Sequence, residues 1–181
     1  QTPFGAAKWL KGENGIARIT IPREDVSLGA MSLVLYSNRD IGGGISSYEV
    51  VHQIAKQRSS ADGRDRRFDV TLLINGLPIA QIELKQVTTK DGIYQAFNQV
   101  KKYAEEGVFR NNIFSTLQLF VVSNEQTTRY FANALPKNMH RKLLFSWRTK
   151  NNQKVENLYE FCKQVLNIPD AHRLIADYTI V

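Results

Sequence analysis

Three ionisable side chains in the stretch 66–86 carry the chemistry of this chain. Asp69, Glu83 and Lys85 lie in otherwise apolar surroundings, in Arg-Arg-Phe-Asp-Val-Thr-Leu-Leu-Ile-Asn-Gly-Leu-Pro-Ile-Ala-Gln-Ile-Glu-Leu-Lys-Gln. Hard divalent cations such as magnesium take carboxylate and carbonyl oxygens and keep several waters. Asp69 and Glu83 would supply the charge, and the backbone carbonyl of Leu84 a third oxygen. A bound metal acidifies its water and stabilises charge building on a phosphate. Lys85, two residues beyond Glu83, is placed to orient that water or to stabilise the transition state. Glu-x-Lys alone is a common exposed pair. It gains weight here because Arg67, Asp69, Thr71, Gln81, Glu83 and Lys85 fall on one face, and Val70, Leu72, Ile74, Ala80, Ile82 and Leu84 on the other.

The elements that must position these groups are two strands joined at Asn75-Gly76, and register decides whether the acids meet. A strict two-residue turn pairs residues whose numbers sum to 151 and sets Asp69 against Ile82, on the wrong face. An odd-length or bulged turn shifts the sum to 152 and sets Asp69 against Glu83. The acids can share a metal only with the second arrangement, which is the one expected.

Around this hairpin, Ala6–Lys11 reads as a short helix, and residues 16–21, 31–37 and 48–56 read as strands. Residues 57–65 form a polar loop. Helices are expected over 92–106 (stripe Ile93, Phe97, Val100, Ala104), over 125–135 after an Asn124 cap, and over 155–167. Further strands are expected at 118–123 and 143–149. The expected fold is a mixed α+β layer, a central sheet flanked by helices, with residues 1–45 as an extension packing on a core of 46–181.

Composition narrows the class. The chain has 181 residues, enough for one sizeable core, and a net charge of +7 that suits a nucleic-acid partner without demanding one. A single cysteine, Cys162, excludes an internal disulfide framework and suits a reducing, cytoplasmic setting. His52, His140 and His172 are scattered, so zinc-type spacing is absent. No apolar run is long enough for a membrane span, and no Gly-x-x-x-x-Gly-Lys-Ser/Thr provides a nucleotide-phosphate loop. His52 and Cys162 read as packing residues and Trp147 as core. Candidate contacts to DNA phosphates are Arg58, Arg64, Arg66, Lys90, Lys101 and Lys102.

Phe68-Asp69 followed by Ile82-Glu83-Leu84-Lys85-Gln86 resembles the Pro-Asp…Asp/Glu-x-Lys nuclease superfamily. The Asn-Gly-Leu-Pro turn ending in Ile-Glu-Leu-Lys is similar to the N-terminal nuclease region of the restriction subunit of type I restriction–modification enzymes. Gln99-Val-Lys-Lys-Tyr103 matches the Gln-x-x-x-Tyr motif that family shares with recombination-type exonucleases. Phe120-Val-Val-Ser-Asn124, Thr128–Asn133, Phe145-Ser-Trp147 and the closing Asp-Tyr-Thr-Ile-Val extend the likeness over roughly 48–181. Phe68 replaces the superfamily's proline, which is not a ligand. An upstream acid, chosen from Glu13, Glu24 and Glu49, is not assigned.

The resemblance implies a magnesium-dependent endonuclease domain that cuts double-stranded DNA, with Gln99 and Tyr103 near its active site. It implies a longer subunit whose C-terminal motor domains bind ATP, working with methylation and specificity subunits. This piece alone is expected to hydrolyse no ATP and to cut weakly if at all. A stand-alone repair or recombination nuclease and a non-catalytic DNA-binding or docking module are the competing readings.

Overall fold

The computed structural model describes residues 2–39, 41–56 and 65–179. Its centre is a five-stranded mixed sheet in the order β3-β4-β5-β6-β7, formed by Tyr48–Lys56, Arg66–Ile74, Leu77–Leu84, Leu119–Ser123 and Thr128–Ala132. Only the β5–β6 pair is parallel. Its crossover contains α2 (Gly92–Glu105), which lies over one face of the sheet. The expected mixed α+β layer fold is the observed one.

Alternation divides β5 and β6 between two cores. Phe120 and Val122 join Ala96, Phe97, Val100 and Tyr103 of α2 in one apolar cluster. Ala80, Ile82, Leu119 and Val121 pack on the opposite face against Phe161, Val165 and Leu166. Gln81 and Glu83, odd-numbered on β5, therefore point to the α2 side among large apolar groups.

The β4–β5 hairpin resolves the register question in two steps. Asn75 (φ 51°) and Gly76 (φ 75°) both take left-handed backbone, the pattern of a two-residue turn twisted to suit a hairpin. Next to it Ile74 pairs with Leu77 and Leu73 with Pro78, both sums 151. A bulge then absorbs Ile79, and Leu72↔Ala80, Thr71↔Gln81 and Val70↔Ile82 all sum to 152. The bulge therefore carries Asp69 to the level of Glu83, as the expected register required. Asn75 also holds the turn in place, accepting from Ser47 N–H at 2.8 Å and donating to the Leu35 carbonyl at 3.1 Å.

The N-terminal residues form α1 (Pro3–Lys11) and an antiparallel pair, β1 (Ile16–Pro22) and β2 (Ala30–Ser37). Thr2 caps α1 by accepting from Gly5 N–H, and Gly12 ends it at φ 54°. Leu10, Ala17 and Tyr36 form a third cluster with Ile74, Ile79 and the late residues Ile175 and Ala176. Tyr36 Oη donates to the His172 carbonyl at 2.9 Å, and Tyr48 Oη lies 2.9 Å from His172 Nδ1.

Three expected elements differ. Residues 125–135 are not a helix: Thr128–Ala132 is the edge strand β7, paired antiparallel to β6. Asn124 makes a turn instead of a helix cap, its Oδ1 accepting from Thr127 N–H at 2.8 Å, and Glu125 is left-handed at φ 73°. Asn suits both roles, and the β-branched and aromatic run Thr128, Tyr130, Phe131 gains a strand partner that a helix would forgo. The strand expected at 143–149 shrinks to β8 (Trp147–Arg148), paired with β9 (Lys154–Val155), plus one bridge from Phe145 to Tyr130. The helix expected over 155–167 becomes α3 (Leu158–Phe161), capped by Asn157, running into a π-helical turn over Cys162–Leu166. A last helix, α4, spans Asp170–Ala176. Cys162 and Trp147 pack at the second cluster as expected, whereas His52 is exposed.

Candidate active site

Strand β5 aims Glu83 at α2, and helical spacing puts Gln99 and Tyr103 one turn apart on the facing side. The Gln99 carboxamide joins the groups. Its Oε1 accepts from Lys85 Nζ at 2.6 Å, and its Nε2 donates to Glu83 Oε1 and, at 2.7 Å, to Tyr103 Oη. An ammonium only donates, so the amide oxygen must face Lys85 and the amide nitrogen Glu83 and Tyr103. Tyr103 Oη accepts from Gln99, which leaves its own proton to offer. Lys85 Nζ lies 3.7 Å from Glu83 Oε1.

Asp69 arrives from β4, its Oδ2 accepting from the Leu84 backbone N–H at 2.8 Å. That bond sets its carboxylate against the backbone between Glu83 and Lys85. The Asp69 charge lies near enough to Glu83 to act on its carboxyl. Glu83 is 1% exposed, and burial together with the Asp69 charge pushes its pKa up to about 8, against the opposing pull of Lys85. Burial likewise raises the Tyr103 hydroxyl, with the Glu83 charge second. Glu83 Oε2 is buried with no hydrogen-bond partner. Behind it Gln81 and Thr71, a cross-strand pair with no exposure, extend the polar seam.

These observations fit a hard cation. Two carboxylates are forced together in a poorly hydrated site, and one buried oxygen has no donor. The remaining ligands in such a site would be backbone carbonyl and water. Among the described residues no group of three or more His, Cys, Asp or Glu side chains gathers, so Glu13, Glu24 and Glu49 do not complete the pair. Glu49 is exposed on β3, opposite Leu73.

The expected polar face is broken on β4. Phe68 and Arg66, not Arg67, reach the α2 side: Phe68 is fully buried against Tyr103 and Phe114, and Arg67 is exposed. Simple alternation would have put Phe68 with Val70, which packs on the other face. The break falls beside Gln53 of neighbouring β3, whose φ of 53° departs from strand geometry.

Among the candidate phosphate contacts, Arg58 and Arg64 lie outside the described residues. Arg66 is engaged by Glu106, donating from Nε at 2.8 Å and from a terminal nitrogen as well, and its guanidinium lies 5.2 Å from the Tyr103 ring centre. It braces Tyr103 rather than facing solvent. Lys90 is exposed in the turn before α2, while Lys101 and Lys102 follow Gln99 along the helix, the second exposed. Glu106 carries a weak signal in the sequence, standing three residues beyond Tyr103, the spacing of neighbours on a helix.

The chain matches the family model described as the type I restriction enzyme R protein N terminus over residues 37–139. It is 35% identical over 130 residues to the EcoprrI type I restriction enzyme endonuclease subunit of Escherichia coli, covering 71% of this chain and 41% of that protein. It is 35% identical over 129 residues to the SauCOLORF180P endonuclease subunit of Staphylococcus aureus strain COL. The SsaAORF53P endonuclease subunit of Staphylococcus saprophyticus is 37% identical over 129 residues. The matched part is 71% of this chain and 13% of each staphylococcal protein, so the chain spans a small part of those relatives. Hairpin, Gln-x-x-x-Tyr helix and the strand after it all fall inside the matched region, and the chain belongs to the family of type I restriction enzyme R protein N termini.

Proposed function

We propose that this chain is the cutting domain of a type I restriction enzyme, hydrolysing phosphodiester bonds of double-stranded DNA with magnesium. The observation that carries this reading is the single carboxamide of Gln99 linking Glu83, Lys85 and Tyr103, beside Asp69 and an unpartnered buried carboxylate oxygen. A purely structural ion pair gains nothing from that orphaned atom.

In this reading Asp69, Glu83 and the Leu84 carbonyl hold the cation. Bound there, it supplies an acidified water and positive charge at the phosphate. Holding the cation would require Glu83 in its carboxylate form. Lys85, fixed by Gln99, donates to the attacking water or to a non-bridging phosphate oxygen, and the Gln99 bond keeps its ammonium from collapsing fully onto Glu83. Tyr103 offers its hydroxyl proton toward the substrate. The whole protein would carry ATP-driven motor domains beyond this chain and act in the cytoplasm with methylation and specificity subunits.

The test is DNA cleavage with magnesium and ATP by the full-length protein in its complex, comparing wild type with Lys85→Ala. Loss of cutting with ATP hydrolysis retained is the expected result. Undiminished cutting would refute the assignment.

A further inference from the structure

Beyond the C-terminal ends of β5 and β6 lies a polar cavity of about 350 Å³, lined by Thr89, Tyr94, Asn124, Thr127, Arg129 and Arg141 among others. It adjoins the Lys85 site through two walls. A Cβ placed on Gly92 of its lining would stand 3.2 Å from Lys85 Cβ. The Lys85 backbone N–H donates to the Ser123 carbonyl at 2.9 Å, and the next residue, Asn124, lines the cavity.

Its two arginines differ. Arg129 is held by the Thr128 carbonyl at 2.7 Å and by Glu156, which offsets its charge. Arg141 is exposed, and its guanidinium lies over Tyr94, 4.8 Å from the ring centre. No acidic group pairs with it among the described residues. Stacking on an aromatic face holds the planar fork and leaves its N–H edges to a ligand in the ring's plane.

The ligand class follows from what surrounds that fork. Asp91 also lines the cavity, and its carboxylate opposes a multiply charged anion. The exposed face of Tyr94 on this side is occupied by Arg141, which disfavours base stacking. Threonine hydroxyls and a guanidinium suit a singly charged phosphodiester. Because the cavity lies against the residues packed on Lys85, successive phosphates of one strand can reach both.

We infer that this cavity seats the DNA phosphate neighbouring the scissile one, with Arg141 as its positioning cation. The inference rests on the nuclease reading above. Arg141 acts through backbone placement and does not touch the reacting atoms.

The experiment measures cleavage by the full-length protein in the DNA-cleaving complex proposed above, as a function of salt, for wild type, Lys85→Ala, Arg141→Ala and Arg141→Lys. One lost charge-assisted contact should cost about tenfold in cleavage for Arg141→Ala at roughly 0.15 M salt. Lowering the salt should close much of that gap, and Arg141→Lys should fall between. Lys85→Ala should stay inactive at every salt concentration. Wild-type cutting by Arg141→Ala beside an inactive Lys85→Ala overturns the phosphate seat and spares the nuclease reading. A defect in Arg141→Ala that salt does not relieve, shared fully by Arg141→Lys, assigns Arg141 to packing on Tyr94 and also overturns it. Full cutting by Lys85→Ala removes both proposals.

Discussion

Replacing Glu83 by glutamine tests the electrostatics of the site without any DNA. In the folded chain the Glu83 carboxyl titrates at about 8 instead of 4.5, first because it is buried and second because Asp69 is close. The folded state therefore favours the protonated form. This contribution is fully present below the unfolded value of 4.5 and is lost as pH rises through about 8. The shift corresponds to at most a penalty on the order of 5 kcal/mol for folding with Glu83 ionised. For a chain of this size each kcal/mol moves the melting temperature by about 2–4 °C. Between about pH 5 and pH 8.5 roughly 4 kcal/mol of stability is lost in this way, so metal-free wild type should lose roughly 8–15 °C more than Glu83→Gln. Groups that titrate in both proteins cancel in that difference. Magnesium at about one hundred times its dissociation constant should return about 2.7 kcal/mol to the wild type and little to the variant. Melting curves with chelator, then with magnesium, at five pH values give the comparison. Parallel pH profiles for the two proteins would refute the claim that Glu83 is held in an unfavourable charged state.

Gln99→Ala should lower DNA cleavage by about a hundredfold, because Lys85 and Glu83 lose their common tether, while costing only about 1 kcal/mol of stability, read by denaturant melts. Tyr103→Phe keeps the ring against Phe68 and Phe109 and removes one hydroxyl, so stability should fall by less than about 1.5 kcal/mol while cleavage falls further. Gly92→Ala brings a methyl to 3.2 Å from Lys85 Cβ and 3.4 Å from Thr89 Cβ. It should reduce kcat with little change in the melting temperature, since alanine suits the first turn of α2. Deleting Ile79 removes the bulge but leaves Leu72 opposite Ala80 and Asp69 level with Glu83, so magnesium binding by calorimetry should persist while stability falls by about 3 kcal/mol with the loss of a buried side chain.

Much of this was legible in the sequence, and the gaps have physical causes. The hairpin, the Gln-x-x-x-Tyr helix and the buried strand Leu119–Ser123 each carry a strong local signal in turn residues, helical spacing or an unbroken apolar run. The grouping of the candidate site residues was legible because their side chains belong to the first two of these. The 128–132 segment was misread because Asn124 caps helices and makes turns equally well, and the deciding term, pairing with the free edge of β6, is not local. Arg66 was assigned to DNA because the contact that engages it, Glu106, is forty residues away. The change of faces between Phe68 and Val70 defeats any reading that assumes strict alternation. The register that lets the acids meet was the one expected. The place of the extra residue, at Ile79 in the strand beyond a plain two-residue turn, was not legible because Asn-Gly suits a plain turn and a bulged one alike.

The bulge at Ile79 separates two requirements that a regular hairpin would bind together. The tight Asn75-Gly76 turn demands one pairing and the acid pair demands another, and a single residue absorbs the mismatch. The loop end of the hairpin can consequently vary in length by even numbers of residues, or be rebuilt for another contact, without moving Asp69 relative to Glu83. For engineering, that makes the turn an insertion point and the Pro78–Ile79 step the place to leave untouched.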